Sequence, residues 1–253
     1  LPPAAVVVAA VVALVTAVLT GFAGNDDDGA DVLSRVPTFP PTTAPTTTAA
    51  PVVPGSEATT TTLGDQLSPA GLDLSTAVWP DPETSQRFTD PAEAARSFAV
   101  DLVGFADPQL GEYTSPTGGA AGSIDVRPTP DGPVTAVSVA QDGTDGSWWV
   151  TGAVTGNVLV NDPLPNSVVS SPMPLRGSSL AFEGTVDVVV HADGAASPAG
   201  TGFVTGGSTE VAPFDGQVSF TPGDAAAGSV LFRIMSAADG SVSAATVVRV
   251  RFG

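Results

Sequence analysis

The sequence predicts a mainly β protein with a small α+β module behind an N-terminal membrane helix, and three observations lead to that prediction. Residues 4–23 form an uncharged apolar run, and residues 37–62 are rich in proline and threonine. Beyond residue 77, one stretch has apolar residues at helical spacing. The stretches after it alternate apolar with other residues, as strands do, and are separated by turns that contain glycine. We expect a transmembrane signal-anchor helix at 1–24, a disordered linker at 25–76, the α+β module at 77–162 and a β-sandwich at 163–253.

The apolar run AAVVVAAVVALVTAVLTGFA carries no charged side chain. About 20 residues rising ~1.5 Å each cross the ~30 Å hydrocarbon core of a bilayer. A helix pairs its own backbone groups there, where no water is available. A buried core helix would show a polar face, and a cleaved signal peptide would have a shorter apolar region before a small-residue site. Gly21–Ala23 fits such a site poorly, so we predict an uncleaved anchor.

The flanks of the run predict the side of the membrane. Asn25–Asp31 (NDDDGAD) is acidic, unlike a flank retained in the cytoplasm, while Leu1–Pro3 contains no basic residue to count. We expect a single-pass protein of the cell membrane whose C-terminal domains are extracytoplasmic. Pro37–Thr62 has too few large apolar groups to fold, so it should act as a disordered or polyproline-like spacer.

Composition excludes several classes of function. The 253 residues include 8 basic and 26 acidic side chains, and the formal net charge is −18. No basic cluster exists to bind nucleic acid, and the negative charge disfavours anionic lipid or wall polymer without bridging cations. The absence of cysteine excludes disulfides, thiolate metal sites and cysteine nucleophiles. Arginine without lysine, among abundant alanine, glycine and valine, suggests a bacterial genome rich in GC.

The α+β module is predicted to begin near Val78 and to contain one helix. Asp90 is placed as its N-cap, Pro91 as its first residue and Glu93 as the partner in a capping box. The apolar residues with helical spacing are Ala92, Ala95, Phe98, Ala99, Leu102 and Val103. Gly104 is expected to end the helix.

Strands follow the helix. Trp148 and Trp149 lie next to each other in one of them and must point to opposite faces. We expect one ring in the core and the other partly exposed. That exposed ring could stack against a sugar or a peptide, but we favour the interpretation that the helix or the next domain covers it.

A stiff junction, Asn161–Pro165, precedes an all-β pattern with regular turns. Val186, Val188 and Val190 alternate with other residues, as do Val230, Phe232 and Ile234. The turns are Asp193-Gly194, Gly206-Gly207, Pro222-Gly223 and Asp239-Gly240. Two facing sheets would bury the valines and phenylalanines and send Arg249 and Arg251 to solvent.

Four sequence pieces in this part carry a family resemblance. They are SPMPLRG at 171–177, AFEGTV at 181–186, APF at 212–214 and GSVLF at 228–232. Together they resemble the immunoglobulin-like domain of bacterial spore-germination-associated (Gmad) proteins over roughly Pro163–Phe252. The resemblance implies an extracytoplasmic immunoglobulin-like β-sandwich with a binding or scaffolding role and no catalytic residues to carry over. Upstream, no match to the usual partner domain of those proteins is found, so a general envelope role is expected rather than germination itself.

Within that resemblance, four residues carry specific expectations. Gly177 and Gly184 suit turn positions, Phe182 should plug the sandwich, and Glu183 should face water.

The sequence contains little catalytic chemistry. His191 is the only histidine, so a His-based metal cluster is impossible and a Ser-His-Asp triad would require it. No Gly-x-Ser-x-Gly elbow is present, and His191 is expected at a strand end before a turn. A carboxylate pair for glycoside hydrolysis stays open, because such a pair is defined in space. No catalytic, cofactor-binding or metal-binding residue is assigned, and no cofactor is expected.

The predicted function is non-catalytic binding or scaffolding in the bacterial cell envelope, through an envelope protein or a cell-wall polymer. Two alternatives remain open: a wall-active hydrolase with an Asp/Glu pair in the α+β module, and an inert structural spacer.

Overall fold

A computed structural model describes residues 72–116 and 119–253. Within these residues the fold consists mainly of antiparallel strands with a single short α-helix. The predicted membrane helix at 1–24 and the linker up to residue 71 lie outside the described residues. Within the described ranges, no helix is long and apolar enough to cross a bilayer. Residues 72–76, the end of the predicted linker, include a 3-10 turn at Leu74–Thr76 whose N-cap is Asp73.

The helix α1, Pro91–Ser97, begins as predicted. The Asp90 carboxylate accepts hydrogen bonds from the backbone N–H groups of Ala92 and Glu93, and Pro91 occupies the first turn. A π-helical stretch, Phe98–Val103, continues it to Gly104, whose φ of 94° ends the helix in the left-handed region. The predicted apolar face is confirmed, since Ala95, Phe98, Ala99 and Val103 are all fully buried.

Twelve strands make up most of the remaining described residues. They are β1 (Gln109–Leu110), β2 (Ala121–Arg127), β3 (Thr135–Gln141), β4 (Trp148–Thr155), β5 (Val158–Asp162), β6 (Val168–Val169), β7 (Met173–Ser179), β8 (Thr185–Ala192), β9 (Gly200–Thr205), β10 (Ala212–Val218), β11 (Ala227–Met235) and β12 (Val242–Phe252). The main path runs β1-β2-β3-β4-β12-β11-β8-β9, while β7 joins β5 to β10 and β6 lies parallel to β12. The halves of the path meet between β4 and β12, at Ala153 and Val247.

Two apolar cores lie on opposite faces of β8, β11 and β12. The helix-side core contains α1, β2, β3 and β4 together with Val189, Leu231 and Val247. The sandwich core lies between β8, β11 and β12 and the second layer β5, β7 and β10, and contains Val188, Phe232 and Val250. In β8 and β11 successive residues therefore enter different cores, as the period of two dictates. These strands are therefore buried on both faces. The two layers around the sandwich core confirm the prediction of a C-terminal β-sandwich.

Two buried threonines link the halves. The Thr246 hydroxyl donates to the carbonyl of Val158 at 2.7 Å and accepts from the backbone N–H of Thr155 at 3.2 Å. The Thr135 hydroxyl accepts from the backbone N–H of Ala245 at 3.3 Å. Both side chains are nearly inaccessible, so these bonds satisfy polar groups where the sheet path turns from one core to the other.

Several detailed expectations were wrong. Arg249 is buried rather than exposed, while Arg251 is exposed as expected. Phe182 does not plug the sandwich, because it lies in an exposed turn and is 60% exposed. Gly177 lies within β7 rather than at a turn, where an added Cβ would stand 2.1 Å from the Leu159 carbonyl oxygen. Gly184 does occupy a turn, with a φ of 71°, and Glu183 is exposed as expected.

Candidate binding groove beside Arg249

An open groove lies where residues 72–83, which we call the entry segment, cross the outer face of the C-terminal strands. It has a volume of about 750 Å³. We call it the junction groove. It is lined by Leu74, Ser75, Pro82, Glu83, Asp193, Gly194, Ala195, Pro222, Asp224, Ala225, Ala226, Ala227 and Arg249.

Backbone pairing holds the entry segment in place. The N–H groups of Val78 and Trp79 donate to the carbonyl of Val150, and the Trp79 carbonyl accepts from the Val150 N–H. Farther along, the Asp81 carboxylate accepts a 2.6 Å hydrogen bond from the backbone N–H of Gly194. The middle of the segment is thus bound to β4, and Asp81, close to its C-terminal end, is bound to the turn after β8, so the segment bridges both halves of the sheet.

Arg249 forms the inner wall of the groove. Its Nη1 and Nη2 atoms donate to the two carboxylate oxygens of Asp193 at 2.6 and 2.5 Å, and Nε donates to the Ser75 carbonyl at 2.9 Å. The Arg249 side chain is 2% exposed and that of Asp193 19%. A bidentate pair of this kind neutralises a charge that the interior could not otherwise hold.

A smaller cavity of about 70 Å³ adjoins the groove and is lined by Trp79, Asp81, His191, Asp193 and Ser229, among others. His191 stands at the end of β8, as predicted, and Ser229 lies directly opposite it on β11. Burial, followed by the positive charge of Arg233, lowers the pKa of His191 below its ordinary value.

This combination of serine, histidine and aspartate does not reproduce a catalytic triad. Asp193 binds Arg249 and Asp81 binds the Gly194 N–H. The cavity, at about 70 Å³, has room for a few water molecules but not for a sugar or a peptide.

Neither Trp148 nor Trp149 forms a stacking platform. Trp148 packs in the helix-side core with its ring 5.4 Å from that of Tyr113. Trp149 is 1% exposed, its Nε1 donates to the Ser147 hydroxyl, and Arg87 lies 4.7 Å from its ring. The expectation that one of the two rings is partly exposed was wrong, because both side chains are buried. Cover was favoured over a platform, and the helix-side core covers Trp148. In the parts of the chain that the structure describes, no group of three or more histidine, cysteine or acidic side chains is arranged to hold a metal ion.

The comparisons with known proteins address the C-terminal part. Residues 157–241 match the Gmad2 family, described as the immunoglobulin-like domain of bacterial spore germination. The predicted resemblance is confirmed. The Gmad2 match begins just before β5, upstream of the expected Pro163, and ends just before β12. No curated protein and no solved structure matches the chain.

Part of the junction groove lies within the Gmad2 match and part outside it. Asp193 and the loop at 222–227 lie inside the match, whereas the entry segment and Arg249 lie outside. From the sequence, Asp193 was predicted only as part of a turn, and no pattern singled out Asp81, Glu83 or Asp224. One signal was present: TVVRV at 246–250 places arginine in an almost continuous apolar run, a pattern typical of strands buried on both faces.

Proposed function

We propose that this chain is a non-catalytic binding or scaffolding protein of the bacterial cell envelope. An N-terminal membrane anchor and a Pro/Thr-rich spacer present an α+β module and a terminal immunoglobulin-like sandwich outside the cell. The Gmad2 match at residues 157–241 is the observation that carries the proposal, because an immunoglobulin-like β domain fits a binding or scaffolding role.

Two further observations support it. The apolar run at 4–23 has the length of a membrane span, and the stretch at 37–62 has the composition of a spacer. The junction groove offers an accessible concave surface of about 750 Å³ beside the immunoglobulin-like domain. The ligand is an envelope protein or a wall polymer that reaches this distal part of the chain.

Fractionation of bacteria that express the full chain tests the placement. The expected result is a chain that stays in the membrane pellet after an alkaline wash and that protease added to intact cells digests down to its N-terminal anchor. A chain recovered in the cytosolic fraction would contradict the proposal. Two further experiments distinguish the two classes of ligand. If the detergent-solubilised full chain pellets with isolated cell walls, the ligand is a wall polymer. If crosslinking in cells links the chain to another protein, the ligand is that protein.

A further inference from the structure

The rim of the junction groove carries negative charge without compensation. Asp193 is neutralised by Arg249, but Glu83 and Asp224 are exposed, and neither forms an ion pair within residues 72–116 and 119–253. Among the described residues, Arg249 is the only cationic one that lines the groove, and each of its three guanidinium nitrogens already donates a hydrogen bond. A ligand that enters the groove therefore meets two free carboxylates and no free cation.

The groove is also lined by small and apolar residues. They are Ala195, Ala225, Ala226 and Ala227, together with Pro82 and Pro222. Such a surface suits the aliphatic stem of a lysine or arginine side chain, which packs along apolar atoms while its charged end reaches a carboxylate. The short alanine side chains leave room for the backbone of the segment that carries it.

Charge favours this partner over an anionic one. The whole chain has a formal net charge of −18, which attracts cationic partners and repels anionic ones at long range. A peptide also fits an open groove of about 750 Å³ better than a bare cation would, since the described residues supply no metal-binding cluster.

We infer that the junction groove binds an extended segment of a partner protein through a lysine or arginine side chain, whose charge pairs with Glu83 and Asp224. The inference rests on the proposed binding function and deepens it by naming the surface and the chemical class of partner.

The test uses the full chain in non-ionic detergent and a fluorescein-labelled Ala-Ala-Lys-Ala-Ala peptide, with anisotropy as the readout. A twin peptide with acetyl-lysine keeps the stem and removes the charge. The lysine peptide should bind, and the twin should bind about tenfold more weakly, because it lacks the positive charge that strengthens a hydrogen bond to a carboxylate. Tenfold corresponds to about 1.4 kcal/mol. The binding should also weaken as salt is raised.

Matched variants localise the contact. Glu83→Gln and Asp224→Asn should each weaken binding of the lysine peptide several-fold, while Asp131→Asn, an exposed carboxylate that does not line the groove, should leave it unchanged. Unchanged melting temperatures for all three variants would show that the fold is intact. Equal binding of the acetylated twin, no binding of either peptide, or no effect of both groove variants would overturn the inference.

The failure of this inference is distinguishable from the failure of the proposed function. If the Glu83→Gln and Asp224→Asn chains capture the same envelope partner or wall polymer as the unsubstituted chain, the groove assignment fails and the binding function stands. If the unsubstituted chain captures nothing in cells or on walls, the binding function itself fails.

Discussion

Arg249 and Asp193 form a bidentate ion pair, with Nη1 and Nη2 2.6 and 2.5 Å from the two carboxylate oxygens, in a place where the arginine side chain is 2% exposed. Nε of the same guanidinium binds the Ser75 carbonyl at 2.9 Å. One side chain on the last strand thus connects the turn after β8 to the entry segment. This connection shapes the junction groove and fixes the entry segment against the immunoglobulin-like domain.

Asp193→Asn should destabilise the protein by about 3–5 kcal/mol, because it leaves a buried guanidinium without its counter-charge. Urea unfolding of the full chain, followed by tryptophan fluorescence, measures the loss. Asp215→Asn is the matched control: Asp215 pairs with Arg176 through side chains that are 78% and 61% exposed, so its loss should cost at most about 1 kcal/mol. Equal losses for the two variants would show that burial of the Arg249 pair carries no special weight.

Phe232→Ala should cost about 3–5 kcal/mol, because the ring is fully buried in the sandwich core. The Phe232 ring stacks 6.2 Å from that of Phe214 in the facing layer, so its removal leaves a cavity between the two layers. Phe182→Ala provides the control and should change stability by no more than about 0.5 kcal/mol, since Phe182 is 60% exposed. A large loss for Phe182→Ala would restore the expectation that this ring plugs the sandwich.

Gly177→Ala should destabilise the sandwich by about 1–3 kcal/mol through overpacking. The new methyl group would stand 2.1 Å from the Leu159 carbonyl oxygen and would also meet the Phe214 ring, so β5 and β7 would have to separate. Gly119→Ala meets nothing within 4 Å and should be nearly neutral. Thermal unfolding compares the two, and a neutral Gly177→Ala would mean that β5 does not pack closely on β7.

The stability of the fold should depend on pH through His191. Because burial and Arg233 lower its pKa in the folded state, the unfolded chain binds the proton more readily. The stabilisation is therefore complete above the ordinary histidine pKa of about 6.5 and declines as pH falls from there toward the lowered folded value. Urea unfolding between about pH 7.5 and pH 5, where few carboxylates titrate, measures how the free energy of unfolding changes with pH. His191→Gln should remove the part of this change that comes from His191. A slope identical to that of the unsubstituted chain would contradict the assignment.

Local features were predictable because their causes are local. The Asp90 cap and the apolar face of α1 and its π-helical continuation follow from residues close together in the sequence. The turns at Gly194, Gly223 and Gly240, which all have positive φ, follow from Asp-Gly and Pro-Gly pairs. The alternation of β8 and β11 predicted correctly which residues enter the sandwich core, such as Val188 and Phe232.

The wrong expectation for Arg249 concerns what covers the face of the sheet opposite the sandwich core. A period of two sends Val189 and Arg249 away from the sandwich core, but it does not say whether water or protein lies there. In this fold α1 and its neighbouring strands cover Val189, and the entry segment covers Arg249. The groove also joins residues more than a hundred positions apart, Glu83 and Asp193, which no spacing in the sequence relates.

The most direct test of a groove-based binding function is photo-crosslinking in living cells. The full chain carries p-benzoylphenylalanine in place of Ala226, an exposed residue that lines the groove, and a control chain carries it in place of Thr129, which is exposed and does not line the groove. The account predicts a discrete, light-dependent protein adduct from position 226 and none from position 129. No adduct at 226, or the same adduct from both positions, would contradict it.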